Sequence, residues 1–201
     1  MSSNWTPVAL SQDVLPGMAI PAHLQDQDLV VWRSATGRIA AWHDRCPHRG
    51  MRLSHGFVRG EFLSCIYHGW RYGEDGQCRK IPAHPELAPP AAIKVPRFAV
   101  CESAGVVWVA PEGETSEPVD LPGFRGFRSV AVNAAADQVA RDVAGQGHLG
   151  GCDVVMLVQP LPGGDCGLHV LVADGCADAQ LDALSHAIEA LRRRLEQGVA
   201  A

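Results

Sequence analysis

The chain has 201 residues, of which 47% are hydrophobic and 19% are charged, a balance typical of a globular protein. No apolar run approaches the ~18 residues that a membrane-spanning helix needs, and the N-terminus lacks the basic and apolar regions of a secretory signal. The net charge is −5, and aromatic and basic residues do not alternate, which argues against nucleic-acid binding. These features predict a cytoplasmic protein that binds neither membranes nor nucleic acids.

The first hundred residues are predicted to form short β-strands separated by turns. Two short apolar segments, Asp28–Arg33 and Arg38–His43, flank the turn Thr36–Gly37, which is typical of a hairpin. Phe98–Glu102 and Val106–Ala110 form a second predicted hairpin. Further short strands are predicted at Glu61–Ile66, Arg71–Gly73 and Arg79–Ile81.

The second half of the chain begins after a segment rich in Pro, Gly and acidic residues, Pro111–Gly123, which is typical of a linker. The sequence therefore predicts a first domain at residues 1–112, a linker at residues 113–123 and a small α+β unit at residues 124–201. The last helix carries apolar residues along one face, and Gly198 is its predicted C-terminal cap. The predicted strands and helices of this unit are Phe127–Val132, Ala134–Ala144, Asp153–Gln159, Gly167–Ala173 and Asp178–Gln197.

Two pairs of closely spaced Cys and His residues indicate a metal centre in the first domain. Cys46 precedes His48 by two residues, Cys65 precedes His68 by three, and sixteen residues separate the pairs. Two thiolates and two imidazoles suit a [2Fe–2S] cluster in which the cysteines hold one iron and the histidines hold the other. Tetrahedral zinc accepts the same donors, but zinc fingers usually pair Cys with Cys and His with His, so the mixed pairs favour iron.

The sequence around these pairs resembles the Rieske domain of ring-hydroxylating and demethylating non-haem iron oxygenases. The matching motifs are CPHRG, LSHG, CIYHGWRY, DGQC and IPA, which begin at Cys46, Leu53, Cys65, Asp75 and Ile81. The resemblance implies a mainly β Rieske domain with a [2Fe–2S] cluster, followed by a small α+β domain that resembles a truncated, helix-grip-like oxygenase catalytic domain. Met51 and Tyr67 stand where respiratory Rieske proteins have an additional Cys pair, so the resemblance is to the branch that lacks this disulfide.

The second unit departs from the pattern with which that family holds a mononuclear iron. The segment from Val132 to Asp153 resembles an eroded copy of it, with His148 in place of the first histidine. Gly145 then stands where the family has a bridging Asp, and Asp153 where it has a second histidine. Because a facial triad needs two His and one carboxylate, no mononuclear iron is expected, although whether His148 or Asp153 binds a metal stays open.

The resemblance implies an oxidoreductase component that is not catalytic alone. We expect an electron-transfer protein or subunit that takes electrons from a reductase or ferredoxin and passes them to an oxygenase catalytic subunit, in a homo- or hetero-oligomer. The alternatives are a terminal oxygenase with an unusual active site and a non-catalytic structural or regulatory subunit. Nine basic residues between Arg45 and Arg97 form either a solvated mixed surface or a basic rim that docks an acidic electron donor.

Five cysteines lie outside the two ligand pairs, and their irregular spacing predicts no disulfide framework. We therefore expect mostly buried free thiols in a reducing cytoplasm. These residues are Cys78, Cys101, Cys152, Cys166 and Cys176.

Overall fold

The computed structural model describes residues 4–197, so the predicted cap Gly198 and the last residues of the predicted second unit lie outside the described range. Strands predominate, and both helices of the described range follow the linker, which confirms the mainly β fold with a small α+β part. The first ten strands are β1 (Thr6–Leu10), β2 (Ala19–Leu24), β3 (Gln27–Arg33), β4 (Ile39–His43), β5 (Phe57–Arg59), β6 (Phe62–Ser64), β7 (Arg71–Tyr72), β8 (Cys78–Lys80), β9 (Arg97–Ser103) and β10 (Val106–Ala110). They are followed by β11 (Phe124–Val132), α1 (Ala136–Val143), β12 (His148–Leu149), β13 (Cys152–Pro160), β14 (Cys166–Ala173) and α2 (Asp178–Gln197).

The chain folds into two compact units that are not contiguous in sequence. One contains Asp13–Cys101 and Val109–Ser116. The other contains the described residues up to Gln12, Glu102–Trp108 and the described residues from Glu117 onward. The division at Glu117 falls inside the predicted linker, but the grouping of the N-terminal strand differs from the predicted contiguous domain. The reason is that β1 hydrogen-bonds to β10, whose first residues belong to the same unit as β1.

The unit that contains both Cys–His pairs is built on two antiparallel sheets. Strands β2, β3, β4 and β9 form one sheet in the order β9–β4–β3–β2, and the predicted hairpin of β3 and β4 pairs Leu29 with His43. Strands β5 to β8 form the second sheet in sequence order. Buried aromatic rings fill the core: Trp32 packs edge-on against Trp42, and Trp42 packs edge-on against Tyr72. Such pairs stabilise a core beyond the area they bury.

The second unit is a four-stranded antiparallel sheet in the order β11–β14–β13–β12 with two helices packed on its apolar face. Val154 of β13 and Leu168 and Val170 of β14 point into the same core as α1 and α2. The apolar stripe predicted for α2 is confirmed, since Leu181 is half-buried and the other four members are fully buried. These four are Leu184, Ile188, Leu191 and Leu195.

The prediction of mostly free cysteines is wrong for one pair. Cys152, at the start of β13, and Cys176, just before α2, form a disulfide with their Cα atoms 5.6 Å apart, a separation that a disulfide readily spans. The two residues are 24 positions apart in sequence, and only the packing of α2 on the sheet brings them together. The other three cysteines outside the ligand pairs are free: Cys78, Cys101 and Cys166.

Within the described range, none of the helices is both long and apolar enough to cross a membrane.

Candidate metal centre

The first Cys–His pair lies in a tight loop that follows β4. The backbone N–H of Cys46 donates to the carbonyl of Met51, and the carbonyl of Cys46 accepts from the N–H of Gly50. Both donor–acceptor distances are 2.8 Å. The start of the loop is fixed by Asp44, which is fully buried. Its carboxylate accepts from the backbone N–H and the hydroxyl of Ser54, over 2.7 and 2.6 Å, and from Arg52. A buried charge satisfied in this way holds the loop in one conformation.

The second pair lies in a loop between β6 and β7 that repeats the same backbone pattern. The N–H of Cys65 donates to the carbonyl of Trp70, and the carbonyl of Cys65 accepts from the N–H of Gly69. Both donor–acceptor distances are 2.9 Å. Gly50 and Gly69 thus hold equivalent positions, with φ of +68° and +69°. A side chain at either would be strained in this left-handed region, so the glycine four residues after each Cys is a requirement of the turn.

The two thiols meet on the buried side of these loops. Cys46 is 3% exposed and Cys65 is 2% exposed, and burial together with the neighbouring Cys46 raises the pKa of the Cys65 thiol. The hydroxyl of Tyr72, a fully buried side chain of β7, lies 3.1 Å from Sγ of Cys46. Burial, then the contact with Cys46, raises the pKa of Tyr72 above its ordinary value. The phenol therefore stays protonated, and its O–H donates a hydrogen bond to the sulfur whenever Cys46 is a thiolate.

The two imidazoles lie at the outer end of the same loops, where His48 is half-buried and His68 is exposed. Their ring centroids are 4.8 Å apart. Desolvation, followed by the electrostatic effects of His68 and Arg49, lowers the pKa of His48. A neutral imidazole is the form that binds a metal, so this environment prepares His48 for that role.

The structure therefore brings together all four residues of the predicted ligand set. Each loop contributes one buried sulfur and one outer nitrogen, a division that suits a two-iron cluster with two thiolates on one iron and two imidazoles on the other. Between residues 4 and 197 no three His, Cys, Asp or Glu side chains converge on one point as a mononuclear site would need. A binuclear cluster takes only two protein ligands per iron, so it does not require such a convergence.

The segment that resembles an eroded iron-binding motif lies in the second unit and forms a small hairpin. His148 of β12 pairs in register with Asp153 of β13, and its Nδ1 is 3.0 Å from Oδ1 of Asp153. Both side chains are exposed, at 65% and 72%. Gly145 follows α1 with φ of +77°. The structure thus brings His148 and Asp153 together at the surface, without a third ligand from the described residues.

Three residues near the cluster loops were not singled out by the sequence reasoning: Asp44, Trp70 and Tyr72. Trp70 and Tyr72 lie inside the CIYHGWRY motif, but the motif alone does not say that both side chains reach the opposite loop. The indole of Trp70 stacks on the ring of His48, with centroids 4.2 Å apart and an interplanar angle of 6°. These contacts depend on how the two loops are placed side by side, which no local pattern encodes.

Comparison with known proteins agrees with this geometry. The sequence profile of the Rieske [2Fe-2S] domain matches residues 4–99. The chain is 38% identical over 120 residues to oxidoreductase NdmD of Pseudomonas putida, an alignment that covers 59% of this chain and 20% of that protein. It is 34% identical over 131 residues to the oxygenase subunit of 3-chlorobenzoate-3,4-dioxygenase of Comamonas testosteroni, covering 61% and 30%. The chain thus spans less than a third of the length of these relatives.

Solved structures extend the likeness to the fold of nearly the whole chain. NdmA of Pseudomonas putida CBB5 superposes with a TM-score of 0.72 at 20% identity, covering 96% of this chain and 80% of that one. Apo dicamba monooxygenase gives 0.73 at 20% identity, covering 96% and 85%. Identities this low establish the fold alone. Residues 4–99 are therefore a Rieske [2Fe-2S] domain, which indicates a [2Fe–2S] cluster, and the relatives and structural neighbours of the chain lie in the Rieske non-haem iron oxygenase family.

Proposed function

We propose that the chain is an electron-transfer component of an oxygenase system, in which Cys46 and Cys65 hold one iron of the cluster and His48 and His68 hold the other. It takes one electron from a reductase or ferredoxin and passes it to the non-haem iron of a partner. The proposal assumes a cytoplasmic protein that assembles with an oxygenase catalytic subunit.

One observation carries the proposal: the sulfur end of the ligand set is buried and the imidazole end faces outward. The thiols of Cys46 and Cys65 are almost fully enclosed, whereas His68 is exposed. When bound, the cluster supplies a one-electron carrier whose potential is raised by its histidine ligands. The protein excludes water from the sulfur side and presents the imidazole N–H groups, which can donate a hydrogen bond to a docked partner. Electron exchange through an exposed edge is what a carrier needs.

The surface around the imidazoles fits a protein partner with an acidic face. Ile66 and Tyr67 are apolar and each is 54% exposed. Arg45 and Arg49 are exposed on either side of His48 and take part in none of the ion pairs of residues 4–197. Exposed apolar groups beside free positive charges favour association with a partner that is apolar at its centre and acidic around it.

The two alternative functions are less well supported. A terminal oxygenase needs three protein ligands around one iron, and the described residues offer His148 and Asp153 without a third. A structural or regulatory subunit has no use for an exposed imidazole such as that of His68, because a cluster that only stabilises the fold is best enclosed. The carrier role explains both the buried sulfurs and the outward position of the imidazoles.

The proposal is tested by the reduction kinetics of the purified protein. The donor is a reduced plant-type ferredoxin at about −400 mV, and its oxidation is followed in a stopped-flow spectrometer at increasing salt. We expect rapid second-order reduction that slows with ionic strength, and a several-fold lower rate for Arg49→Glu with an unchanged cluster spectrum. A cluster that dithionite reduces but ferredoxin does not would support the structural role and overturn the carrier role.

A further inference from the structure

One contact crosses between the two ligand loops. The indole of Trp70, from the second loop, lies flat on the imidazole of His48, from the first loop, at 4.2 Å and 6°. His48 also meets the edge of His68, with ring centroids 4.8 Å apart. The His48 ring is therefore held on one side by an indole plane and bordered by the second imidazole.

Both the backbone and the side chain of Trp70 are anchored to the core of this unit. The carbonyl of Trp70 accepts the N–H of Cys65, and its side chain is half-buried and packs against the core that contains Cys46 and Cys65. In the first loop, the equivalent backbone position belongs to Met51, whose carbonyl pairs with Cys46. The two loops share a backbone pattern, but only the second has a flat aromatic ring at this position, and that ring reaches the histidine of the other loop.

We propose that Trp70 is a positioning residue that holds the His48 imidazole in the orientation in which it binds iron. This inference rests on the proposed ligand set, because it assigns Trp70 a role only through His48. Stacking restricts rotation of the ring about its side-chain bonds, so an imidazole released from the metal stays aimed at it. Tyr67 lies close to His68, with centroids 3.8 Å apart, but its ring is 54% exposed and tilted by 32°. Of the two contacts, only that between Trp70 and His48 is a parallel stack.

The expected effect follows from the strength of aromatic pairs. A pair of this kind shifts an equilibrium by roughly 2- to 12-fold beyond simple burial. Trp70→Leu keeps an apolar side chain and removes the flat ring, so the fraction of time that His48 is detached from iron should rise by that factor. A chelator reaches the iron through the open position, so loss of the cluster should accelerate by the same 2- to 12-fold.

The experiment measures the decay of the visible cluster absorbance in excess EDTA for the wild type, Trp70→Leu and Trp70→Phe. Phe62→Leu is the matched control, because Phe62 is an exposed aromatic residue of β6 in the same unit and makes none of the ring contacts of the ligand loops. Pulsed EPR of the dithionite-reduced protein measures the nitrogen couplings of the two imidazoles. We expect faster decay and a changed coupling of one histidine for Trp70→Leu, an intermediate effect for Trp70→Phe, and no change for Phe62→Leu.

The outcomes separate this inference from the function on which it rests. A wild type without two imidazole couplings would refute the ligand set. A wild type with both couplings, together with unchanged decay and unchanged couplings in Trp70→Leu, would overturn the positioning role and leave the ligand set intact. If Trp70→Leu assembles no cluster, Trp70→Phe decides: decay and couplings equal to those of the wild type contradict the proposal.

Discussion

The hydroxyl of Tyr72 lies 3.1 Å from the sulfur of Cys46, inside the core and away from solvent. It joins the proposed iron ligand to a chain of buried rings, because Tyr72 packs edge-on against Trp42. A hydrogen bond donated to a thiolate withdraws charge from the sulfur. It stabilises the more negative, reduced state of a cluster more than the oxidised state.

Tyr72→Phe should therefore lower the reduction potential of the cluster. A hydrogen bond to a charged group contributes about 1.5 kcal/mol, which for a one-electron couple corresponds to roughly 60 mV, and the shift is at most of this size because the oxidised state is stabilised in part as well. A redox titration followed by EPR measures the shift. Tyr67→Phe, which removes the hydroxyl of an exposed ring, is the control and should leave the potential within a few millivolts. Equal potentials for Tyr72→Phe and the wild type would show that the phenol does not donate to a cluster ligand.

Cys65→Ser should abolish the visible spectrum of the cluster and lower the stability of the unit that contains both ligand loops. Cluster binding is coupled to folding, and Cys65 is 2% exposed, so the empty site leaves buried polar groups without their metal. Absorbance and thermal unfolding measure the two effects. Cys78→Ala is the matched control, because Cys78 is an equally buried free thiol of the same core and lies outside the proposed ligand set. A Cys65→Ser variant that kept a full, unchanged spectrum would refute the assignment.

The sequence predicted most of the strands of the unit that contains both Cys–His pairs, because their signals are local. The hairpin of β3 and β4 combines two short apolar runs with a Gly turn, and both features lie within a few residues. Strand β1, which belongs to the other unit, was not predicted, although it is apolar and its last four residues are buried. Its main partner, β10, follows far along the chain, and a short apolar segment does not indicate where it will pair.

The distinction between local signals and contacts between distant segments also holds at the candidate metal centre. The four proposed ligands stand out in the sequence because each pair is a local motif of Cys and His. Trp70 and Tyr72 act across the gap between the loops, and the Cys152–Cys176 disulfide depends on the packing of α2 against the sheet. Contacts of this type follow from tertiary structure, so spacing alone could not reveal them.

The second unit should lose stability as the pH falls below about 6.5. His169 of β14 is 4% exposed, its Nδ1 is 2.7 Å from the hydroxyl of Ser129, and burial lowers its pKa from 6.5 to about 4. The folded state therefore binds this proton less tightly than the unfolded chain. The contribution of neutral His169 to the free energy of unfolding is fully present above the pKa of the unfolded chain. It is lost as the pH falls through the pKa of the folded state, and the total loss is about 3 kcal/mol.

Urea unfolding between pH 7.5 and 4.5, followed by circular dichroism, measures this loss. His169→Gln removes the titrating group, so its unfolding free energy should vary less with pH, although it starts from a lower value. His186→Gln is the control, because His186 is exposed on α2. If His169→Gln retained the full pH dependence, another group would be responsible.

The Cys152–Cys176 disulfide should stabilise the second unit by about 3 kcal/mol, because it closes a loop across 24 positions of sequence and limits the unfolded chain. Dithiothreitol should lower the unfolding midpoint of the wild type. The double variant Cys152→Ser/Cys176→Ser should unfold at the lower midpoint with or without the reductant. Thiol alkylation followed by mass spectrometry identifies the pair. Two alkylated residues at these positions in the unreduced protein would contradict the disulfide.

Purified protein should contain two irons per chain, and His148→Ala should not change this number. His148 is 65% exposed and contacts the carboxylate of Asp153, but a facial triad requires a third protein ligand at the same point, and the described residues supply none. His148→Ala should therefore leave reduction by ferredoxin within about twofold of the wild type, since the cluster loops are untouched. Elemental analysis and stopped-flow kinetics make the two measurements, with Asp153→Asn as the matched variant of the same surface pair. A third iron per chain that disappears in His148→Ala, together with loss of dioxygen-dependent substrate turnover, would replace the carrier role with that of a terminal oxygenase.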